Sequence, residues 1–241
     1  MSVAVMSVPP TREAEMRERL EAFIERTEYP CVGAKSTLAR GTLKMLFAKN
    51  MASGWDDLRI HDALLDWAER YRDDRSYLRS LAVVFEGPVD ADEEAFEKRL
   101  WERLQSLADK DDWLSQPYDD SVSPDPSDPH FSLSFGGEAF FVVGLHPNAS
   151  RPARRFAYPT LVFNLHDQFE QLREQGRYER MREAILERDT KFAGSLNPML
   201  ARHGETSEAR QYSGRAVAPD WTCPFSDKRS QSKETGEGAG Q

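Results

Sequence analysis

Six polar residues crowd the ten positions that follow an apolar run: His146, Asn148, Ser150, Arg151, Arg154 and Arg155, after Phe140-Phe-Val-Val-Gly-Leu145. An imidazole leaving an apolar strand enters a low-dielectric setting. Guanidinium forks behind it can grip carboxylates in bidentate fashion. The corner suits an anionic, partly apolar ligand. The competing reading of His146 is a hydrogen-bonded turn residue held by Pro147.

The other histidines read more plainly. His61 lies mid-helix among charged neighbours, as a solvated side chain would. His130 follows an Asp-Pro loop at the surface, and His166 opens a helix as a capping or packing residue. His203 precedes Gly204 at a helix end, where a histidine is often only a dipole partner.

Of the two cysteines, Cys223 stands before Pro224 and between Trp221 and Phe225. The proline fixes the direction of the sulfur and the aromatics keep water away, which suits a thiolate on haem iron or, equally, a packed C-terminal anchor. Cys31 fits a Cys/His hydrolase or an inert buried thiol. The chain has no paired Cys/His spacing for zinc, no H-E-x-x-H, no Walker A and no G-x-S-x-G.

The 241 residues must fold so as to position these groups, and 39% apolar content is enough for one sizeable core. A net charge of −9 opposes nucleic acid or an anionic membrane surface as partner. No run reaches the roughly 18 apolar residues of a spanning helix. The first ten residues lack the basic start of a signal peptide, so a cytoplasmic protein is expected.

Met16, Leu20, Phe23 and Ile24 mark one face of a helix over 11–27, which Tyr29-Pro30 interrupts. Helices are expected over 36–48, with Gly41 as a weak point, and over 56–72, with Leu64, Trp67, Ala68 and Tyr71 on one face. Leu81–Phe85 reads as a strand, and Asp90 or Asp92 would cap the helix of Phe96, Leu100, Leu104 and Leu107. Residues 109–129, rich in Asp, Pro and Ser, read as an exposed loop.

Phe131, Leu133 and Phe135 alternate up to Gly136-Gly137, which turns the chain into the 139–145 strand as a hairpin. A short strand over 160–163 and helices from Phe169 to Gly176 and from Tyr178 onward follow. The expected molecule is a single α+β domain over 11–225, with a flexible leader 1–10 and a disordered tail 226–241. N-terminal helices precede an antiparallel-leaning sheet with helices on one face.

Several long stretches, in order, resemble the YqcI/YcgG family. They are Pro30-Cys-Val-Gly-Ala-Lys-Ser36, Gly136 to Arg151, Leu161 to Arg173, Gly194-Ser-Leu-Asn-Pro-Met199, His203 to Arg215 and Trp221-Thr-Cys-Pro-Phe225. The resemblance covers roughly residues 15–225. It implies a haem b monooxygenase that N-hydroxylates a guanidine group, such as that of L-arginine, with O2 and a separate electron donor. Characterised relatives serve bacterial natural-product pathways, including those to D-cycloserine and guanitoxin.

On that reading His146 is the first choice for the iron ligand and Cys223 the second. Arg151, Arg154 and Arg155 would pair with the propionates, and Asn148 and Ser150 would line the cofactor site. The cationic substrate needs a carboxylate, which Glu138, Asp167, Glu170, Glu205 or Glu208 could supply; Glu208 is the choice, with Tyr212 and Ser213 beside it for proton delivery. A homodimer is compatible with this. The alternatives are a non-catalytic haem-binding or sensing protein and a haem-free hydrolase using Cys31.

Overall fold

The computed structural model describes residues 11–197, 199 and 205–229. The expected leader, His203 and the tail beyond 229 lie outside the described residues. Helix α1 (Arg12–Glu25) turns Met16, Leu20, Phe23 and Ile24 inward, as their spacing predicts. After Tyr29-Pro30, Cys31 caps α2 (Val32–Ala39): its Sγ accepts the Ala34 N–H at 3.4 Å.

The helix expected over 36–48 ends at Ala39. Gly41 takes a left-handed φ of 68°, and residues 43–50 become strand β1 (Leu43–Asn50), parallel to β2 (Ser80–Gly87). A short apolar run fits helix or strand locally, and the pairing partner decides. Helix α3 (Asp57–Asp73) makes the crossover between them.

Helix α4 (Glu93–Trp113) is capped by Asp92, whose carboxylate accepts the Ala95 N–H at 2.8 Å. It runs through 109–113, expected as loop, because Leu104, Leu107, Ala108 and Asp111 stay on its buried face. Strands β3 (Leu133–Phe135) and β4 (Glu138–Leu145) form the expected hairpin. Gly136 and Gly137 turn it with φ of 59° and 80°, the left-handed pair that a tight hairpin needs.

Strand β5 (Thr160–Leu165) inserts antiparallel between β2 and β4. Helices α5 (Asp167–Glu174), α6 (Tyr178–Ala193) and α7 (Ala209–Tyr212) complete the described residues. They make one α+β domain around an open mixed sheet of order β1-β2-β5-β4-β3.

Helices cover both faces of this sheet rather than the one face expected. Strand β2 shows why, since its apolar residues point both ways. Leu81, Val83 and Phe85 join the core under α3 and α4, while Ala82 and Val84 join the one under α1. A strand apolar on both sides needs cover on both.

The packed chain also runs past 225. Asp227 is buried, and Arg229 donates from Nη1 to Asp111 and from Nη2 to Asp227, each at 2.7 Å. Asp111 is fully buried and also lies 2.8 Å from His61 Nε2 and accepts the Gly136 N–H at 3.1 Å. His61, expected in solvent, is thus a core residue facing a buried carboxylate.

Candidate functional site

Strand alternation sorts the central residues between the two faces. Phe140, Val142 and Gly144 of β4 face α4, with Phe140 and Val142 in its core. Phe141, Val143 and Leu145 face the opposite side, joined by Val162 and Asn164 of β5. On that side, α1, α2 and α6 close a cavity of about 300 Å³ over the sheet, a size within the range of small-molecule sites.

Two polar clusters line the cavity. His166 follows β5 and its N–H donates to Ala139 O at 2.8 Å, near the start of β4. Its Nε2 lies 3.7 Å from Glu208 Oε1 and 3.9 Å from Glu170 Oε1. Glu208 Oε2 accepts the Ser132 hydroxyl at 3.2 Å. His166, Glu208 and Gln168 all line the cavity here.

Near the other end of β4, Arg154 donates to Gly144 O at 3.0 Å, Tyr212 O at 3.3 Å and Gln211 O at 3.2 Å. Among the described residues no carboxylate lies within ion-pair distance of it. Burial lowers the Arg154 pKa, opposed by Tyr29, Cys31 and Asp189. Arg151 pairs with Asp189 of α6. Five strand steps, roughly 17 Å at ~3.3 Å each, separate Ala139 from Gly144. The cavity therefore holds two polar clusters, His166 with Glu208 and Arg173, and Arg154 with the Arg151–Asp189 pair, beside the apolar residues of β4 and β5.

Cys31 also lines the cavity. Burial pushes its thiol pKa up, while the N–H groups of Ala34 and Gly33 pull it down.

Several residues singled out from the sequence do other work. His146 follows Leu145, so alternation carries it to the α4 face, where its ring stacks on Phe96 at 4.2 Å. It is not among the cavity-lining residues. Burial pushes its pKa down to about 4, and its Nδ1 is buried without a hydrogen bond. Cys223 packs against the core under α4, and burial pushes its thiol up to about 12.

Asn148 Nδ2 donates to Ala91 O at 2.9 Å, and Ser150 donates to Glu93 from its N–H and its hydroxyl. Both tie the loop after β4 to the start of α4. Arg155 donates to Ala149 O and Ser150 O and lines an open surface hollow with Arg19 and Arg26.

The Tyr212 hydroxyl is buried against Phe140 O, and burial raises its pKa. Ser213 donates to Glu97 at 2.9 Å. Burial opposes ionisation of Glu97, but hydrogen bonds from Arg215, Ser213 and Trp221 hold its pKa below the usual range. These residues fasten the C-terminal segment to α4. Of the other carboxylates, Glu138 lies 3.3 Å from Arg75, Asp167 lies 3.1 Å from Arg75, and Glu170 pairs with Arg173. Glu205 is exposed.

The structure thus brings Glu208, Arg151 and Arg154 to one cavity and leaves His146, Asn148, Ser150, Arg155, Tyr212, Ser213 and Cys223 out of its lining. It adds His166, not assigned to a site from the sequence, and Cys31, named there only as the nucleophile of a haem-free hydrolase. The signal for His166 was present in the two-residue period Val162, Asn164, His166, which continues the cavity face of β5.

No curated protein and no solved structure matches the chain. A family model does match, over residues 20–226, and spans the sheet, both helical layers and every residue of the cavity named above. The chain belongs to the YqcI/YcgG family.

Proposed function

We propose that the protein is a haem-dependent monooxygenase that N-hydroxylates a guanidine group, that of L-arginine or an arginine-derived compound. The observation that carries the reading is a cavity that holds the Glu208 carboxylate beside the His166 imidazole and, near Gly144, the Arg154 guanidinium bonded to carbonyl oxygens. Haem is a flat apolar ring with two acidic side groups and needs one axial donor from the protein. The residues fit that demand. Val143, Leu145 and Val162 would offer an apolar wall, Arg154 and Arg151 would offer cations for the acidic side groups, and Cys31 or His166 would hold the iron.

When bound, haem would supply reductive activation of O2 at its iron. The chain's own residues do the rest. The Glu208 carboxylate accepts N–H groups of the guanidinium, a charge-assisted contact that orients the nitrogen. His166 Nε2, beside it, holds or passes a proton. The apolar wall excludes water. In balance, one N–H bond becomes N–OH with one atom of O2. The other atom leaves as water, taking up two protons and two electrons from a separate donor protein.

The test is the full chain expressed with haem precursor, followed by spectroscopy and by mass spectrometry of arginine incubated with O2 and a reductant. A Soret band and hydroxyguanidine product are expected. A missing Soret band, also after adding haem, would sink the proposal. Haem uptake without product from a panel of guanidines would overturn the catalytic part in favour of a haem-binding or sensing role.

A further inference from the structure

We infer that α6 is a hinged lid over the cavity, latched by the pair between Arg151 and Asp189, and that ligands enter beneath it. The inference concerns access to the cavity and holds whichever ligand the cavity takes.

The covering helices are held in different ways. Helix α1 buries Met16, Leu20, Phe23 and Ile24, and Ala34 and Leu38 of α2 pack against the same cluster. Helix α6 turns Tyr178, Met181, Ile185 and Leu186 to the cavity at helical spacing. None of these side chains belongs to either core cluster, and the one buried residue of α6 is Asp189. Its apolar stripe faces open space, so it forgoes the dispersion contacts that fix α1. An element with few buried apolar contacts opens at a lower free energy than the core does.

The ends of α6 suit a hinge. Gly176 precedes it with a φ of 63°, and Gly194 ends it with a φ of 74°. A Cβ built on either would meet no atom within 4 Å beyond its chain neighbours, so nothing packs around these joints.

The hold on the far end of the helix is concentrated on one side chain. Among the described residues, every side-chain hydrogen bond from the sheet layers to α6 and residues 195–196 is made by Arg151. Its guanidinium pairs with Asp189 and donates to the Ser195 hydroxyl at 3.1 Å, Ser195 O at 3.0 Å and Leu196 O at 3.4 Å. At the near end, the Arg173 guanidinium of α5 lies 4.3 Å from the Tyr178 ring. Release of Asp189 would let α6 swing about Gly176 and uncover the cavity.

The experiment is hydrogen–deuterium exchange of the full chain, read by mass spectrometry on peptides from α6, α1 and β5. Wild-type α6 should exchange faster than α1 and β5. Asp189→Asn keeps the shape of the side chain and removes its charge. It should speed α6 exchange by about tenfold to a hundredfold, the worth of a charge-assisted hydrogen bond, and leave α1 and β5 unchanged. Arg151→Lys keeps the charge but loses the fork, and should act in the same direction. Wild-type α6 as protected as β5, or exchange raised evenly along the chain in both variants, would overturn the lid. If Asp189→Asn does not fold, the wild-type pattern and Arg151→Lys decide.

Entry is read separately, by the rate at which N-ethylmaleimide alkylates Cys31, which lines the cavity, in a Cys223→Ser chain. Asp189→Asn should raise that rate by a similar factor. Faster α6 exchange with an unchanged alkylation rate would overturn the entry route. Neither measurement uses haem, so a failure of the haem reading and a failure of the lid are told apart.

Discussion

At the residue scale, Glu208 and His146 make opposite predictions. Glu208 meets the cavity, so on the proposed function Glu208→Gln should lower kcat/KM for arginine by about tenfold to a hundredfold, from the ~1.5–3 kcal/mol of a hydrogen bond to a charged group. Haem content should not change, and steady-state turnover of the loaded protein measures the effect.

His146 is a stability residue instead. Its folded pKa of about 4 lies below the ordinary value of about 6.5. Between those values the unfolded chain takes up a proton that the folded chain refuses. Stability is therefore complete above about pH 6.5 and falls as the pH drops toward about 4. The urea midpoint of His146→Phe, which retains an aromatic ring against Phe96, should fall less steeply across that window than that of the wild type.

At the element scale, β4 divides the two halves of the molecule, and Gly144 sets how closely they approach. A Cβ there would lie 2.8 Å from Phe96, 2.9 Å from Leu100 and 2.9 Å from Tyr212 O. The same segment carries the carbonyl that receives Arg154. Gly144→Ala should therefore push α4 and α7 outward, cost roughly 1–3 kcal/mol in denaturant unfolding, and disturb Arg154 at the cavity.

The elements themselves were largely legible in the sequence. The inner faces of α1, α3 and α4 follow helical spacing, and the hairpin follows its glycine pair. Strand β1 was not, because nothing within residues 43–50 distinguishes a helix from a strand that gains a parallel neighbour some thirty-seven residues on.

At the scale of the whole molecule, the C-terminal segment is part of the fold. Arg229 reaches Asp111 on α4, which in turn faces His61 of α3 and the hairpin turn at Gly136. Removing one partner of a buried charge pair leaves the other without compensation. Arg229→Met should cost about 3 kcal/mol, at the lower end of the usual range because His61 and Gly136 remain. A chain ending at 225 should be destabilised at least as much, as read by calorimetry.

The sequence by itself determined the family, the α+β class and most helical faces. Those follow from local spacing and from long motifs, which survive without knowledge of contacts. Only the tertiary structure decided which histidine and which cysteine share a cavity. A strand turns successive side chains to opposite faces, so Leu145 and His146, neighbours in the chain, end on opposite sides of the sheet. Conversely, Cys31, Glu208 and Arg154, far apart in sequence, line one wall-to-wall space. The arginine-rich corner after β4 thus contributes Arg151 and Arg154 to the cavity, while Arg155 lies on the surface and His146 serves the core.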